Sequence, residues 1–434
     1  MKSQNLNNEE ADDVRNLENF NVSDFLQIKF DSLDEKAHAF SYKLQETCIK
    51  TGFLMREICG NIGKNTLVRN PRTGKEETVL MFGSNNYLDL AQEPYIINKA
   101  IAAVKKFGIG CGGPQLLNGN TSLHIELQNK IASIKGAEAA ILFSSGYSTN
   151  VGWPNALLGK DDWLIYDLQS HGSLYDSLKT KQFNSMPFLH NDPIALQKRL
   201  KTIRQTHPRS TIIVCVEGVY SMDGDIAPLD EFRKICDDYA ALLCIDDAHG
   251  SGVMGEHGHG TQEHFGLTGK IDLYMGTFSK VYCVTGGYVA GKKHLVDFLR
   301  VNARSNLFSA SLPPYSVAAV LAAIEFIEQN PDRVKKLHYN ARYMTQKLCD
   351  AGLNAHTESA IIPIFIAQPH SVKEIVAELH DEGVFINGIE YPSVPKNKQR
   401  LRLSMMATFE QHELDYAIDK LVRMARRRGI IPSP

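Results

Sequence analysis

The sequence predicts an α/β protein with a doubly wound, mostly parallel sheet in a large domain and a smaller α+β domain at its C-terminal end. From about residue 94, helix-like and strand-like segments alternate along the chain, which is typical of strand–helix–strand units. Several strand-like segments are apolar throughout, as in TIIVCVEG at residues 211–218, and this indicates parallel strands covered on both faces. After residue 316 the strands become shorter and amphipathic helices separate them, which predicts the second domain.

In chain order, the first 25 or so residues are predicted to form a loose acidic tail, and Phe25–Gly60 an amphipathic helical arm. The segments NTLVRN and ETVLMFG then form a strand pair around a turn at PRTGK. Helices are predicted at YIINKAIAAVKKFG and TSLHIELQNKIASIKG, each ending at a glycine. The predicted strands of the large sheet are AAILFSS, DWLIYD, TIIVCVEG, ALLCIDD and IDLYMGTF.

The C-terminal part is predicted to contain the helices VAAVLAAIEFIEQN, SVKEIVAELHDEG and HELDYAIDKLVRMARRR and the strands IIPIFIA and RLRLSMM. We therefore divide the chain into a tail and arm (1–76), a large domain (77–315) and a small domain (316–434).

Composition and charge exclude several classes of function. The chain has 434 residues with a formal net charge of −2, so no global field favours nucleic acid. The eight cysteines form no C-x-x-C pair, and we expect reduced thiols in a cytoplasmic protein. The N-terminus lacks the pattern of a signal peptide, and no run approaches the roughly 18 apolar residues of a membrane-spanning helix. We expect an enzyme with a small-molecule substrate.

The basic run RMARRR, which includes Arg426–Arg428, is read either as a solvated helix end or as a contact for a carrier protein, coenzyme A or a membrane surface. Peripheral contact with the inner face of a membrane is therefore left open.

Polar residues cluster at the ends of four predicted strands, where open α/β sheets bind ligands. In GTFSKVYCVTGG, Lys280 could form a Schiff base with a carbonyl cofactor, and the hydroxyls of Thr277 and Ser279 could bind phosphate. Taken alone, the tetrapeptide TFSK is more typical of a solvated surface lysine. In CIDDAHGSGVMG, Asp246 and His249 could face the nitrogen and the phenolic oxygen of a pyridine ring. A metal pair is the alternative, but no third ligand lies nearby, and we expect no metal site.

The other two clusters are weaker signals. His171 follows the strand DWLIYD and could stack on a flat cofactor ring, although a lone histidine is often structural. Ser145, Gly146 and Tyr147 follow the strand AAILF and open a predicted helix, a place suited to phosphate.

Together the motifs resemble those of the α-oxoamine synthase family of fold-type I pyridoxal-phosphate (PLP) enzymes. The resemblance extends from about residue 45 to 425 and rests on LMFGSNNYLDLA, GCGGPQLLNGN, EGVYSMDGDIAPL, DDAHGSGVMGEHGHG, MGTFSK, GGYVAG, FSASLPP and RLRLSMMAT. It implies an aspartate aminotransferase-like fold, PLP as cofactor, and a homodimer with shared active sites. It also implies the condensation of an amino acid with an acyl thioester, carried by coenzyme A or a carrier protein, with loss of the carboxylate.

The resemblance also implies roles for individual residues. Lys280 corresponds to the lysine that holds PLP, Asp246 to the partner of its ring nitrogen, His249 to the group near its ring oxygen, and His171 to the stacking histidine that helps polarise the thioester. The remaining cofactor-binding positions are Gly146, Tyr147, Ser221, Thr277, Ser279 and, toward the neighbouring subunit's phosphate, Ser309. Arg402 corresponds to the arginine that binds the amino acid carboxylate, with Asn85 in the same pocket.

Within the family, the pattern is most similar to bacterial serine palmitoyltransferases, which implies L-serine and a long-chain acyl thioester as substrates and sphingolipid synthesis as the pathway. Three positions depart from that pattern: Glu390 in place of an arginine, Pro114-Gln115 in the glycine-rich stretch, and VYCVT after the lysine. They leave open 8-amino-7-oxononanoate synthase, glycine C-acetyltransferase and cysteate acyltransferase as alternatives. A lysine-free regulatory subunit and a plain aminotransferase fit the motifs less well.

Overall fold

A computed structural model describes residues 30–432. Its strands are Glu57–Ile58 (β1), Asn65–Arg69 (β2), Glu76–Met81 (β3), Ala139–Phe143 (β4), Trp163–Asp167 (β5), Asn184–Phe188 (β6), Ile212–Glu217 (β7), Leu242–Asp246 (β8), Leu273–Thr277 (β9), Gly287–Gly291 (β10), Ile361–Phe365 (β11), Val384–Phe385 (β12), Asn387–Ile389 (β13) and Arg400–Ser404 (β14).

The α-helices of the same residues are Leu33–Leu44 (α1), Pro94–Phe107 (α2), Ser122–Lys135 (α3), Gly146–Leu157 (α4), Gly172–Leu178 (α5), Pro193–Thr206 (α6), Leu229–Asp238 (α7), Thr261–His264 (α8), Lys293–Asn302 (α9), Arg304–Leu307 (α10), Pro314–Gln329 (α11), Pro331–Asp350 (α12), Val372–Asp381 (α13) and Gln411–Arg427 (α14).

The large sheet has seven strands in the order β4-β10-β9-β8-β7-β5-β6. Strands β9, β8, β7, β5 and β6 pair in parallel, and only β10 runs antiparallel to its two neighbours. Every residue of β7, β9 and β10 is buried, in agreement with the apolar runs of the sequence. The predicted fold, an aspartate aminotransferase-like α/β fold, is confirmed.

The C-terminal part contains a three-stranded antiparallel sheet, β11-β14-β13. A second small sheet joins the two halves of the chain, because β12 pairs in parallel with β3 of the first three strands. The expected boundary between residues 76 and 77 lies at the start of β3, and the division into domains stays a prediction.

The predicted helical arm over Phe25–Gly60 is wrong in its second half. Helix α1 continues into a π-helical turn at Gln45–Ile49, and the chain then turns into β1. Gly52 has a φ of +78°, a left-handed conformation that ends the helix. The Arg56 guanidinium then stacks on the Phe385 ring, 3.3 Å from its centroid, which fixes this segment to the C-terminal part. The expected tail and the first part of the arm lie outside the described residues.

The other predicted helices and strands are confirmed, whereas several elements were not predicted, among them the strands β6 and β10 and the helices α6 and α12. In residues 30–432 we find no helix whose length and apolar character would let it cross a membrane. Arg427 forms ion pairs with Glu378 and Glu382, and Arg428 with Glu374 and Glu378. Because these charges are balanced within the chain, the basic run offers little free charge, and its contact with a membrane or carrier protein stays a prediction.

Candidate active site

The candidate site lies at the carboxyl edge of the large sheet. Glu217, Asp246 and Thr277 are the last residues of β7, β8 and β9, and Asp246 is the direct neighbour of Glu217 in the β7–β8 register. Parallel strands end at one edge, so the polar segments predicted from the sequence are brought together there.

Asp246 is a buried carboxylate with a specific set of donors. The side-chain amide of Asn150, on helix α4, donates to its Oδ2 at 2.7 Å, and the backbone N–H of Ala248 donates to its Oδ1 at 3.1 Å. A carboxylate held in this way remains ready to pair with a positive group.

Lys280 follows β9 in the turn that leads to β10. Desolvation lowers the pKa of its amine to about 8, with Arg402 acting in the same direction and Asp246 and Glu217 opposing it. A substantial fraction of the amine is therefore neutral near pH 8, which is the form that attacks a carbonyl carbon.

His249 is buried, and its Nδ1 lies 2.7 Å from the hydroxyl of Tyr87. Desolvation lowers the pKa of His249 well below its usual range, and the positive charges of Lys280 and Arg402 lower it further. Its imidazole is therefore neutral, and with Nδ1 engaged by Tyr87, Nε2 remains for a cofactor atom.

His171 is the N-cap residue of helix α5. Its Nδ1 accepts from the backbone N–H of Ser173 at 3.2 Å and lies 2.7 Å from the Ser173 hydroxyl. Desolvation lowers the pKa of His171, so this imidazole is neutral as well. Desolvation also raises the pKa of Glu217 well above its ordinary range, with the nearby charge of Asp246 adding to the effect.

The start of helix α4 contacts the end of β9. A Cβ placed on Gly146 would lie 2.8 Å from both Cβ and Oγ1 of Thr277, so only glycine allows this approach. Thr277 Oγ1 in turn lies 2.9 Å from the hydroxyl of Ser279. A helix N-terminus beside two hydroxyls matches what a phosphate group requires. Tyr147 is half exposed on the same helix turn, and its hydroxyl donates to Asp176 at 2.6 Å.

Ser309 lies in the loop after helix α10 and lines a small cavity together with Ser144, which precedes the start of helix α4. The loop packs on the glycine-rich stretch, because the backbone N–H of Ser311 donates to the carbonyl of Gly113 at 3.0 Å and its hydroxyl to the carbonyl of Gly119 at 2.7 Å. The exposed Phe308 precedes Ser309.

Arg402, on strand β14, is 4% exposed and donates only to neutral oxygens. These are the carbonyl of Ser221 at 2.5 Å, Oδ1 of Asn85 at 3.1 Å and the hydroxyl of Ser404 at 2.8 Å. The Tyr87 hydroxyl lies at 3.5 Å. Among the described residues no carboxylate pairs with this guanidinium, although a buried charge normally requires a partner of opposite sign. The predicted pair Asn85 and Arg402 is thus brought together, and Ser221 joins it through its backbone.

Two of the departures from the family pattern have local structural roles. Glu390 forms an ion pair with Lys373 at 3.1 Å, so its negative charge is compensated outside the Arg402 cluster. The Gln115 amide donates to Oδ1 of Asn120 at 3.0 Å and closes the glycine-rich stretch on itself.

Residues 77–421 match the sequence pattern of the family described as aminotransferase class I and II. The serine palmitoyltransferase of Sphingobacterium spiritivorum is 42% identical over 81% of this chain and 88% of its own length. This chain belongs to the α-oxoamine synthases. Another similar α-oxoamine synthase, the 8-amino-7-oxononanoate synthase of Thermoanaerobacter pseudethanolicus, is 39% identical over 82% of this chain and 90% of its own length. The solved structure of the Sphingomonas wittichii serine palmitoyltransferase has a TM-score of 0.85 at 30% identity, covering 93% of this chain and 100% of that one.

α-Oxoamine synthases are PLP-dependent acyltransferases, and this chain is one of them. The residues at the sheet edge fit the cofactor. A neutral lysine amine suits its aldehyde, the buried Asp246 carboxylate its ring nitrogen, and the start of helix α4 with Thr277 and Ser279 its phosphate. The close approach of Gly146 to Thr277 forms a cradle that any larger residue at 146 would fill.

Four side chains that complete the site were not predicted individually: Tyr87, Asn150, Ser173 and Glu217. All four lie within or beside the motifs quoted above. Their polar side chains gave no signal because polar residues are common in helices and turns, and only the folded geometry places them against Asp246, His171 and His249.

Proposed function

We propose that this α-oxoamine synthase condenses L-serine with a long-chain acyl thioester, releasing carbon dioxide and the thiol and forming a product such as 3-ketodihydrosphingosine. The observation that carries the amino acid part is the buried Arg402 guanidinium, which has no carboxylate partner among the described residues. The similarity to serine palmitoyltransferase supports the choice of serine and of a long acyl chain.

The Arg402 cluster has the chemistry of a carboxylate receptor. A planar guanidinium donates two parallel hydrogen bonds to a carboxylate, which adds orientation to charge. The neutral oxygens of Asn85, Ser404 and Ser221 hold the guanidinium in place without neutralising it. A substrate carboxylate at this point would supply the missing negative charge.

When bound, PLP draws electrons away from the amino acid Cα, which makes proton loss and decarboxylation feasible. In this proposal Lys280 binds the cofactor and afterwards moves the α-proton, a task suited to an amine whose pKa is lowered to about 8. Asp246 would pair with the ring nitrogen and favour its protonated form, and His249 would face the ring oxygen. His171 offers the proton on its Nε2 to the thioester carbonyl, while Arg402 and Asn85 hold the carboxylate.

The proposal extends to the assembly. The chain forms a homodimer in which Ser309 reaches the phosphate in the neighbouring subunit's site, and Gly146, Tyr147, Thr277, Ser279 and Ser221 complete the binding of PLP. Similar enzymes are dimers and use an amino acid and an acyl thioester as substrates.

To test the proposal, purified holoenzyme is incubated with glycine, L-alanine, L-serine or L-cysteate, each in combination with palmitoyl-coenzyme A or pimeloyl-coenzyme A. Thiol and carbon dioxide release are measured together, and the product is identified by mass spectrometry. We expect equal amounts of thiol and carbon dioxide only with serine and palmitoyl-coenzyme A, and no turnover by Lys280→Ala.

Turnover of alanine with the pimeloyl donor would replace the proposal with 8-amino-7-oxononanoate synthesis, the alternative that the second relative favours. Thiol release without carbon dioxide would contradict the condensation itself. A protein that binds no PLP would favour a non-catalytic partner subunit.

A further inference from the structure

A hydrogen-bond relay, buried except at its His171 end, connects the two side chains that face different parts of the cofactor ring in the proposed function. Its centre is Asn150 on helix α4, whose side-chain amide donates to Asp246 Oδ2 at 2.7 Å and to Ser173 Oγ at 3.0 Å. The Ser173 hydroxyl lies 2.7 Å from His171 Nδ1. The relay therefore runs from Asp246 through Asn150 and Ser173 to His171.

The orientation of the Asn150 amide is fixed by its third contact. The indole N–H of Trp153, one turn along helix α4, donates to Asn150 Oδ1 at 3.3 Å. A flipped amide would place an oxygen against the Asp246 carboxylate and an NH₂ group against the indole N–H. Both contacts would be repulsive, so both amide hydrogens must point toward Asp246 and Ser173.

The direction of each hydrogen bond then follows. Ser173 Oγ accepts from Asn150, so its own hydroxyl hydrogen is donated to His171 Nδ1. The backbone N–H of Ser173 also donates to Nδ1, and a backbone N–H can only donate. Nδ1 is thereby an acceptor, and the neutral His171 carries its proton on Nε2.

Most of the relay is shielded from water. Asn150 is 2% exposed, and Ser173, Trp153 and Asp246 are also buried. Water cannot replace a lost contact at Asn150, so a hydrogen bond broken there leaves a polar group unsatisfied, whereas His171 at the end of the relay is exposed.

We propose that Asn150 is a positioning residue that holds Asp246 for the ring nitrogen and, through Ser173, fixes His171 as the Nε2-protonated tautomer. This inference rests on the proposed site for PLP. Asn150 touches neither substrate nor cofactor in this assignment, and it acts through the two residues that do.

The first experiment compares Asn150→Asp and Asn150→Ala with Asn155→Ala, a control on the same helix. The Asn155 side chain donates to the carbonyls of Val151 and Ser177, away from Asp246. Apoenzyme is titrated with PLP, and the visible band of the lysine-bound cofactor is followed against pH. We expect both Asn150 variants to bind PLP about 10- to 100-fold more weakly, as for a lost hydrogen bond to a charged group, and to shift the pH midpoint of the band. The control should match the wild type in both measurements.

The second experiment uses Ser173→Ala, which leaves the Asn150–Asp246 contact intact but removes the relay to His171. We expect PLP affinity within about 3-fold of wild type but a kcat about 10-fold lower, with little change in KM for the amino acid, because His171 Nδ1 then keeps only the backbone N–H of residue 173 as a donor and the Nε2-protonated tautomer is less favoured. Melting curves of the apoenzymes identify any variant that fails to fold, and Ser173→Ala then still tests the inference.

Asn150 variants that bind PLP as tightly as Asn155→Ala, with an unshifted pH midpoint, would overturn the inference. So would a Ser173→Ala enzyme with an unchanged kcat. Neither result affects the proposed function, which is tested separately by the acceptor and the acyl donor with which the wild type releases carbon dioxide. PLP affinity and the band midpoint are measurable in either case.

Discussion

At the scale of single residues, the site separates one permanent charge from several groups that burial keeps neutral. Desolvation lowers the pKa values of His171, His249 and Lys280, so both imidazoles are neutral at neutral pH and the Lys280 amine loses its proton near pH 8. Arg402 retains its proton throughout that range. In the proposed function the permanent charge binds the substrate carboxylate, while Lys280 and His171 move or offer protons.

We expect Arg402→Lys and Arg402→Gln to raise KM for the amino acid about 10- to 100-fold, the effect of losing charge-assisted hydrogen bonds. Lysine keeps the charge but not the planar pair of donors, so the KM of Arg402→Lys should lie between that of the wild type and that of Arg402→Gln. Initial rates of thiol release, measured against each substrate in turn, check this. A parallel rise in KM for the acyl thioester would contradict a role confined to the carboxylate.

The individual residues that the sequence predicted are those with a chemistry of their own, such as Lys280, Asp246 and Arg402. Asn150 and Tyr87 could not be predicted because their importance lies in what they contact. Asn150 contacts Asp246 although the two are 96 residues apart in the chain. Tyr87 reaches His249 across 162 residues.

At the scale of elements, the loop after β7, residues 219–225, is held from two sides. From the large sheet, His190 lies between two carboxylates, 2.9 Å from Asp167 and 2.8 Å from Asp225. From β14, Arg400 donates to the carbonyl of Met222 at 3.1 Å and forms an ion pair with Asp223. The loop carries Ser221, whose carbonyl accepts from Arg402, so these contacts also position the proposed substrate cluster.

The His190 contact should make stability depend on pH. Burial alone would lower the pKa of His190, but the hydrogen bonds and charges of Asp167 and Asp225 raise it to about 9. A pKa raised above its unfolded value of about 6.5 contributes stability that is complete below pH 6.5 and is lost as the pH rises through about 9. The Tm difference between wild type and His190→Gln should therefore be largest near pH 6 and much smaller at pH 9.5. In an Asp225→Asn background, the Tm difference caused by His190→Gln should change less with pH. In the wild-type background, a Tm difference that grows with pH would contradict the assignment.

The glycines after Asp246 leave room for a buried ion pair. The Lys135 ammonium lies 2.8 Å from Asp247, and both side chains are fully buried. A Cβ on Gly260 would lie 1.9 Å from Asp247 Oδ2 and 2.6 Å from Lys135 Nζ, at a φ of +115°. The motif DDAHGSGVMGEHGHG therefore combines Asp246, the aspartate proposed to face the cofactor, with the glycines that make room for the ion pair of the neighbouring Asp247.

We expect Gly260→Ala to lower the free energy of unfolding by about 3–5 kcal/mol, because it forces the buried pair apart. Gly266→Ala is the matched control, with a φ of +63° and no atom within 4 Å of a Cβ placed on it. It should cost only about 1–2 kcal/mol of backbone strain. Urea unfolding of both variants measures the difference, and equal losses would contradict the role of the ion pair.

Periodicity predicted the strands and helices that are uniformly apolar or strongly amphipathic. It missed β10, where Gly287 and Gly291 bound only three larger residues, and β6, which contains Pro187. It extended the arm helix too far because the apolar spacing continues past Gly52, whereas the left-handed backbone there ends the helix.

At the scale of the whole molecule, large apolar side chains are exposed around Ser309, the residue expected to reach the neighbouring subunit. Phe308 is 70% exposed, and Leu117 is also exposed in the glycine-rich stretch that packs on the same loop. Exposed apolar side chains on two loops that pack together are typical of a protein interface. The proposed homodimer would cover it.

Phe308→Asp should shift the protein from dimer to monomer, because it places a charge in that interface, and should weaken PLP retention by withdrawing Ser309 from its partner. Light scattering after size exclusion measures the mass. Ile194→Asp is the control, since Ile194 is 78% exposed but follows β6, at the opposite end of the large sheet from β4. A monomeric control or a dimeric Phe308 variant would contradict this placement of the interface.

The pairing of β3 with β12 has a consequence for how the chain folds while it is being synthesised. Met81 and Phe385, which lie side by side in the small sheet, are separated by about 300 residues of chain. At typical synthesis rates of about 5–20 residues per second, the first hairpin leaves the exit tunnel roughly 15–60 s before its partner strand exists. During that interval the edge of β3 is open to any other strand, including that of a second nascent chain. Slow translation or a scarcity of chaperones should therefore lower the yield of this enzyme more than its final stability suggests.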